Sequence, residues 1–178
     1  VWRMLARSYQ RTNRPAEAQA AVLVSDAVQA QAEGQPEVAE QRLQEALPSL
    51  TAPQLRAPVV SELGGIAQSR QDWTSASARF AEAYRLREQA AQAAPTSGAA
   101  QALEADAQQL VIALDRSGRT REACERLRQA QEQHDVAAPD QALLERCERQ
   151  GTRLEPRVQM APQLRRSLER AAPAPAPA

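Results

Sequence analysis

The chain has 178 residues, 43% of them apolar, with alanine the commonest type and only one Phe, two Trp and two Tyr. Its 22 acids balance 22 bases, every one an arginine, which argues against a general nucleic-acid or anionic-membrane surface. So few β-branched and aromatic residues disfavour a sheet, and no apolar run approaches the ~20 residues that span a bilayer.

Ala, Leu, Arg, Gln and Glu are strong helix formers, so breakers define the elements. A first helix runs from Val1 to about Thr12 and ends at Asn13-Arg14-Pro15. Pro15 suits a first helical turn, where its missing N–H costs nothing. Helix two continues to about Glu33 and stops at Gly34-Gln35-Pro36. Helix three covers Pro36 to about Leu47, and Pro48, Pro53 and Pro58 then mark a looser connection. Helix four is expected from Val59 to Arg70, and helix five from Trp73 or Thr74 to Ala93, with Gln71-Asp72 as the turn between them. After the loop at 94–98, helix six covers Ala99 to Arg116, helix seven Thr120 to Gln133 and helix eight Pro139 to Gln150. A ninth is expected between Ala161 and Ala171, and the Pro-Ala tail from Pro173 favours an extended, solvated form. Short links join neighbouring antiparallel helices, so the chain reads as a row of helical hairpins.

Within that row a pattern recurs. Leu63-Gly64, Ala67, the turn at Gln71-Asp72, then Ala76, Phe80 and Ala83 make the clearest unit. Small residues at Gly64, Ala76 and Ala83 allow two helices to approach closely, while Leu63 and Phe80 fill the gap to the next hairpin. The spacing returns at Leu110-Val111, Leu114, Gly118, Ala123, Leu127 and Ala130, and at Trp2, Leu5-Ala6, Tyr9, Asn13 and Ala18. Half-units follow at Gly34, Ala39, Leu43 and Ala46, and at Leu143-Leu144, Cys147 and Gly151.

These residues resemble the tetratricopeptide repeat (TPR) family, whose signature is Trp-x2-Leu-Gly-x2-Tyr followed by Ala-x3-Phe-x2-Ala; Trp2 to Tyr9 matches the first half, with Ala6 in place of Gly. The resemblance covers residues 1–151 and implies an all-α fold, a right-handed α-α superhelix of about eight to nine helices. The turns are spaced unevenly about the family ideal of about 34 residues. Helix two either serves two units or hides a break near Ser25-Asp26, and the long helices five and six look like the kinesin-light-chain type of repeat. Residues 152–172 are expected to cap the array and 173–178 to form a disordered tail.

No catalytic or cofactor signature stands out. The lone His134 reads as an exposed helix-end residue and cannot build a metal site without further ligands. There is no phosphate loop, Gly-x-Ser-x-Gly, His-Glu-x-x-His or Cys-x-x-Cys. We therefore expect no enzyme, no cofactor and no metal. Cys124 and Cys147 lie on consecutive antiparallel helices and are either two buried thiols or one bridge, and a bridge would favour the periplasm.

The resemblance implies that first helices line a concave groove that takes a partner. Helix one carries Arg3, Arg7 and Arg11 on one face, with Gln10 beside them, and residues 1–14 contain four Arg and no acid. Arginine forks grip carboxylates at two points, so an acidic or carboxylate-bearing peptide is the expected ligand of Arg3, Arg7, Gln10 and Arg11; the alternative is a solvated face, or one that meets an upstream repeat. Further groove candidates are Ser61, Glu62, Gln68, Gln108, Gln109 and Asp115.

The function expected is a protein–protein interaction scaffold, part of a bacterial envelope or polysaccharide-export assembly and periplasmic. A cytoplasmic sensory array of a transcription regulator or kinase, and a helical appendage of a cell-wall enzyme, are the alternatives. The absence of Lys reads as the mark of a GC-rich bacterial genome. With no signal peptide and no initiator Met at Val1, the chain is expected to be a fragment or a mature piece of something longer.

Overall fold

Five tight turns organise the chain. In the computed structural model, which describes residues 1–94, 96–133 and 136–154, Asn13, Gly34, Gln71, Gly118 and Gly151 all have positive φ, between 53° and 81°. These are the residues at which the sequence predicts turns. Each is followed by a residue whose N–H reaches back five positions: Arg14 to the Tyr9 carbonyl, Gln35 to Ala30, Asp72 to Ala67, Arg119 to Leu114 and Thr152 to Cys147, at 2.8–3.0 Å. This is the Schellman closure, in which a left-handed residue lets the last carbonyls of a helix find partners.

Between the turns lie eight α-helices among the described residues: α1 Trp2–Arg11, α2 Pro15–Ala32, α3 Pro36–Ala46, α4 Pro53–Ser69, α5 Trp73–Ala93, α6 Ser97–Arg116, α7 Thr120–Gln133 and α8 Gln141–Arg149. A single 3-10 turn, Leu47–Ser49, follows α3. The fold is all-α, and each helix packs chiefly on its neighbours in sequence.

The starts of the helices follow ordinary capping chemistry. Pro15, Pro36 and Pro53 each occupy a first turn. Asp72, Thr96 and Asp140 accept hydrogen bonds from the Ser75, Ala99 and Leu143 amides. The bonds from Ser75 hold the Asp72 carboxyl below its ordinary range.

Two expectations change. Helix α4 starts at Pro53, six residues before Val59, and carries Pro58 inside it. Pro58 removes one hydrogen bond near the helix start, where the exposed Gln54 carbonyl can turn to water, and the burial of Ala57, Val59 and Val60 outweighs that loss. Helix α2 is continuous through Ser25-Asp26 and packs on both α1 and α3, so one helix is shared by two tight turns. The ninth helix, most of the expected cap at 152–172, the tail at 173–178 and His134 lie outside the described residues.

The buried residues form two clusters. The first draws on α2, α3, the 3-10 turn, α4 and the middle of α5, and consists of Ala, Val, Leu and Ile. The second joins the start of α5 to α6, α7 and α8, and contains Phe80, Cys124 and Cys147. Helix α5 serves both, with Ala83 and Leu86 in the first and Ala76 and Phe80 in the second. Gly64 on α4 faces Phe80 on α5. A Cβ added there would lie 2.8 Å from the Phe80 ring. Phe80 therefore packs across its own hairpin as well as towards the next helices.

Candidate interaction surface

Helix α1 is divided lengthwise. Ala6 is buried, Trp2, Leu5 and Tyr9 are half-buried, and Trp2 packs against the first core. The opposite side carries Arg3, Arg7, Gln10 and Arg11, all exposed. Val1 and Met4 extend this side with apolar surface, 95% and 74% exposed. No acid lies on the helix.

The predicted set does not act as one cluster. Arg3 leans onto α2, where its Nε donates to Ser25 Oγ at 3.2 Å and its guanidinium donates to Gln29 Oε1 at 3.4 Å. Arg7, Gln10 and Arg11 instead line one shallow depression on the outer face of α1. Arg14, which follows the turn, is committed elsewhere: it stacks 4.7 Å over the Tyr9 ring and pairs with Glu17 at 2.8 Å.

The later groove candidates divide too. Ser61 on α4 donates to Asp106 Oδ1 on α6 at 2.7 Å. Asp115 on α6 accepts from Thr120 at 3.0 Å and from Arg146 on α8 at 2.5 Å. These two residues tie alternate helices together, α4 to α6 and α6 to α8. Gln68, Gln108 and Gln109 are half-buried and Glu62 is exposed.

Two features escape the sequence reading, and a third decides an alternative it leaves open. Asp106 is 3% exposed and holds both Ser61 and the Arg87 guanidinium, which links three helices through one carboxylate. A signal for it exists: Leu103, Asp106, Ala107 and Leu110 fall on one helical stripe, so an acid stands at a core position. Cys124 and Cys147, left open between thiols and a bridge, form a disulfide with a Cα–Cα distance of 5.4 Å. Lastly, a cavity opens between α5, α6 and α7 beside Tyr84, Glu88 and Arg126.

Among the described residues no three His, Cys, Asp or Glu side chains come together as a metal site, and no helix is long and apolar enough to cross a membrane. Comparisons with protein-family models, curated proteins and solved structures found no match.

Proposed function

We propose that this chain is a protein–protein interaction scaffold, a right-handed array of TPR-like hairpins whose N-terminal helix docks an acidic peptide, without catalysis of its own. The observation that carries this function is the free basic face of α1, where Arg7, Gln10 and Arg11 line one open depression with no acid on the helix. Guanidinium groups on a helix face suit carboxylates at two points, and the exposed Met4 beside them suits an apolar side chain.

Two further observations support the array. The five identical turns repeat one local geometry. The links Ser61–Asp106 and Asp115–Arg146 join alternate helices, as stacked first helices of an array would be joined. The disulfide supports an oxidising compartment, hence the periplasm and an envelope assembly, since such bridges persist there and are rare in the cytosol.

The test is fluorescence anisotropy with a labelled synthetic peptide rich in Glu and Leu, at several salt concentrations. Replacing Arg7 and Arg11 by Ala should weaken binding about three- to tenfold and flatten its salt dependence. Arg3→Ala should weaken it less, because Arg3 is already engaged with α2. Equal affinity of the Arg7→Ala/Arg11→Ala protein and the parent, or no binding at low salt, would dismiss the docking role.

A further inference from the structure

The cavity between α5, α6 and α7 encloses about 270 Å³. Its wall is apolar and made of small or branched residues, the buried Ala107 and Leu110 of α6 and Ala130 of α7. Its rim is polar, with Tyr84 and Glu88 from α5 and Arg126 from α7.

Among the described residues neither rim charge forms an ion pair. Arg121 and Arg128, on the same helix as Arg126, each pair with a Glu one turn on. Arg126 has Ala130 at that place and, among the described residues, donates to Gln129 Oε1 at 3.4 Å. Glu88 acts on the Tyr84 phenol beside it and makes no ion pair among the described residues. The acid and the base also do not pair with one another, although both act on the same phenol. Burial and the Glu88 carboxylate push the Tyr84 hydroxyl up to about 12, with Arg126 pulling the other way.

We infer that this cavity binds a small zwitterion, an α-amino acid with an aliphatic side chain. A free anion there would face Glu88, and a free cation would face Arg126. A zwitterion answers both: its ammonium donates to Glu88, its carboxylate accepts from Arg126, and its side chain lies on Ala107, Leu110 and Ala130. Charge-assisted hydrogen bonds from a half-buried carboxylate and an exposed guanidinium, with an apolar wall behind them, suit a small-molecule site.

The experiment is an NMR titration of the intact oxidised protein with L-leucine, N-acetyl-L-leucine and L-leucinamide, repeated on Glu88→Gln and Arg126→Gln. Circular dichroism verifies that both variants keep their helicity. L-leucine should shift amide resonances of α5, α6 and α7 saturably, and each derivative that lacks one charge should bind about tenfold more weakly or worse. Glu88→Gln should weaken L-leucine to the level of N-acetyl-L-leucine and leave the latter unchanged. Arg126→Gln should do the same with respect to L-leucinamide. The absence of a saturable response to L-leucine, or equal affinities in parent and variants, overturns the assignment.

Discussion

The first and last helices among the described residues, α1 and α8, are nearly equal in length and are held in opposite ways. Helix α1, of ten residues, buries only Ala6 and leans on α2 through Trp2 and the hydrogen bonds of Arg3. Helix α8, of nine residues, buries Leu143, Leu144 and Cys147, is bridged to α7 by the disulfide and is tied to α6 by Arg146 and Asp115. Helices this short do not persist in water on propensity alone, so each must borrow its order from tertiary contacts. The same contrast extends inwards. The first core is entirely aliphatic, whereas the second is crossed by a disulfide and bordered by Asp106 with its two partners. Among the described residues, the last helix is fastened and the first leaves a charged face exposed.

The largest effect should come from cutting the polar link between the two halves. Asp106→Ala leaves Arg87, whose side chain is 22% exposed, without its counter-charge, and Ser61 without its acceptor. Removing one partner of a buried pair costs about 3–5 kcal/mol, and the partial exposure of Arg87 sets the expected loss near the lower figure. Urea unfolding measures it. A loss no larger than that of Ser61→Ala, expected at about 1 kcal/mol, would make the carboxylate incidental to the junction.

Fastening of α8 by the disulfide is tested next. Cys124 and Cys147 are 23 positions apart, and a bridge closing a loop of that size stabilises by about 3 kcal/mol in the chain-entropy account. Reduction, or Cys147→Ser, should lower the urea midpoint accordingly, and hydrogen exchange should show α8 losing protection before α2 to α5. Uniform loss of protection along the chain would mean that the bridge supports the whole molecule and not one end.

How much of this was legible in the sequence follows from how local the cause is. The turns at Gly34, Gly118 and Gly151 were legible because a positive φ all but demands glycine, and Asn13 because asparagine tolerates it. The basic face of α1 was legible because helical period alone sets which residues share a side. The start of α4 was misjudged because a proline rule counts one lost hydrogen bond and cannot weigh the burial of Ala57, Val59 and Val60. Arg3 was grouped with Arg7 and Arg11 because spacing gives a side chain's direction but not the hydroxyl and amide within its reach on α2. Asp106 was overlooked as one acid among 22, although its place in the apolar stripe of α6 marks it. The rim of Tyr84, Glu88 and Arg126 depends on which helices meet, and no local pattern carries that.

Both cores meet on α5, and its contact with Gly64 leaves no room for an added methyl. Gly64→Ala adds a good helix former, worth up to about 1 kcal/mol at a free site. The added methyl would stand 2.8 Å from the ring of Phe80, which is 2% exposed. Overpacking of this kind costs about 1–3 kcal/mol, so a net loss of about 1–2 kcal/mol is expected. Phe80→Leu in the same protein should recover part of the loss, and strict additivity of the two changes would deny the contact.

The smallest effect separates the turns themselves. Glycine stands at Gly118 and Gly151, the turns that flank the two disulfide-bridged helices, while Asn13 closes α1 and Gln71 closes the hairpin where the cores join. Gln71 holds a φ of 60° with a Cβ, a conformation that costs an ordinary residue about 1 kcal/mol or more. Its side chain is exposed, so its replacement removes little packing. Gln71→Gly relieves the folded state but also gives the unfolded chain more freedom, which offsets part of the gain. The balance favours the glycine by about 0.5 kcal/mol, read as a small rise in Tm. The same change at Asn13 should do less, since asparagine visits the left-handed region readily. A fall in Tm at Gln71 would mean that its side chain stabilises the junction in some way its exposure conceals.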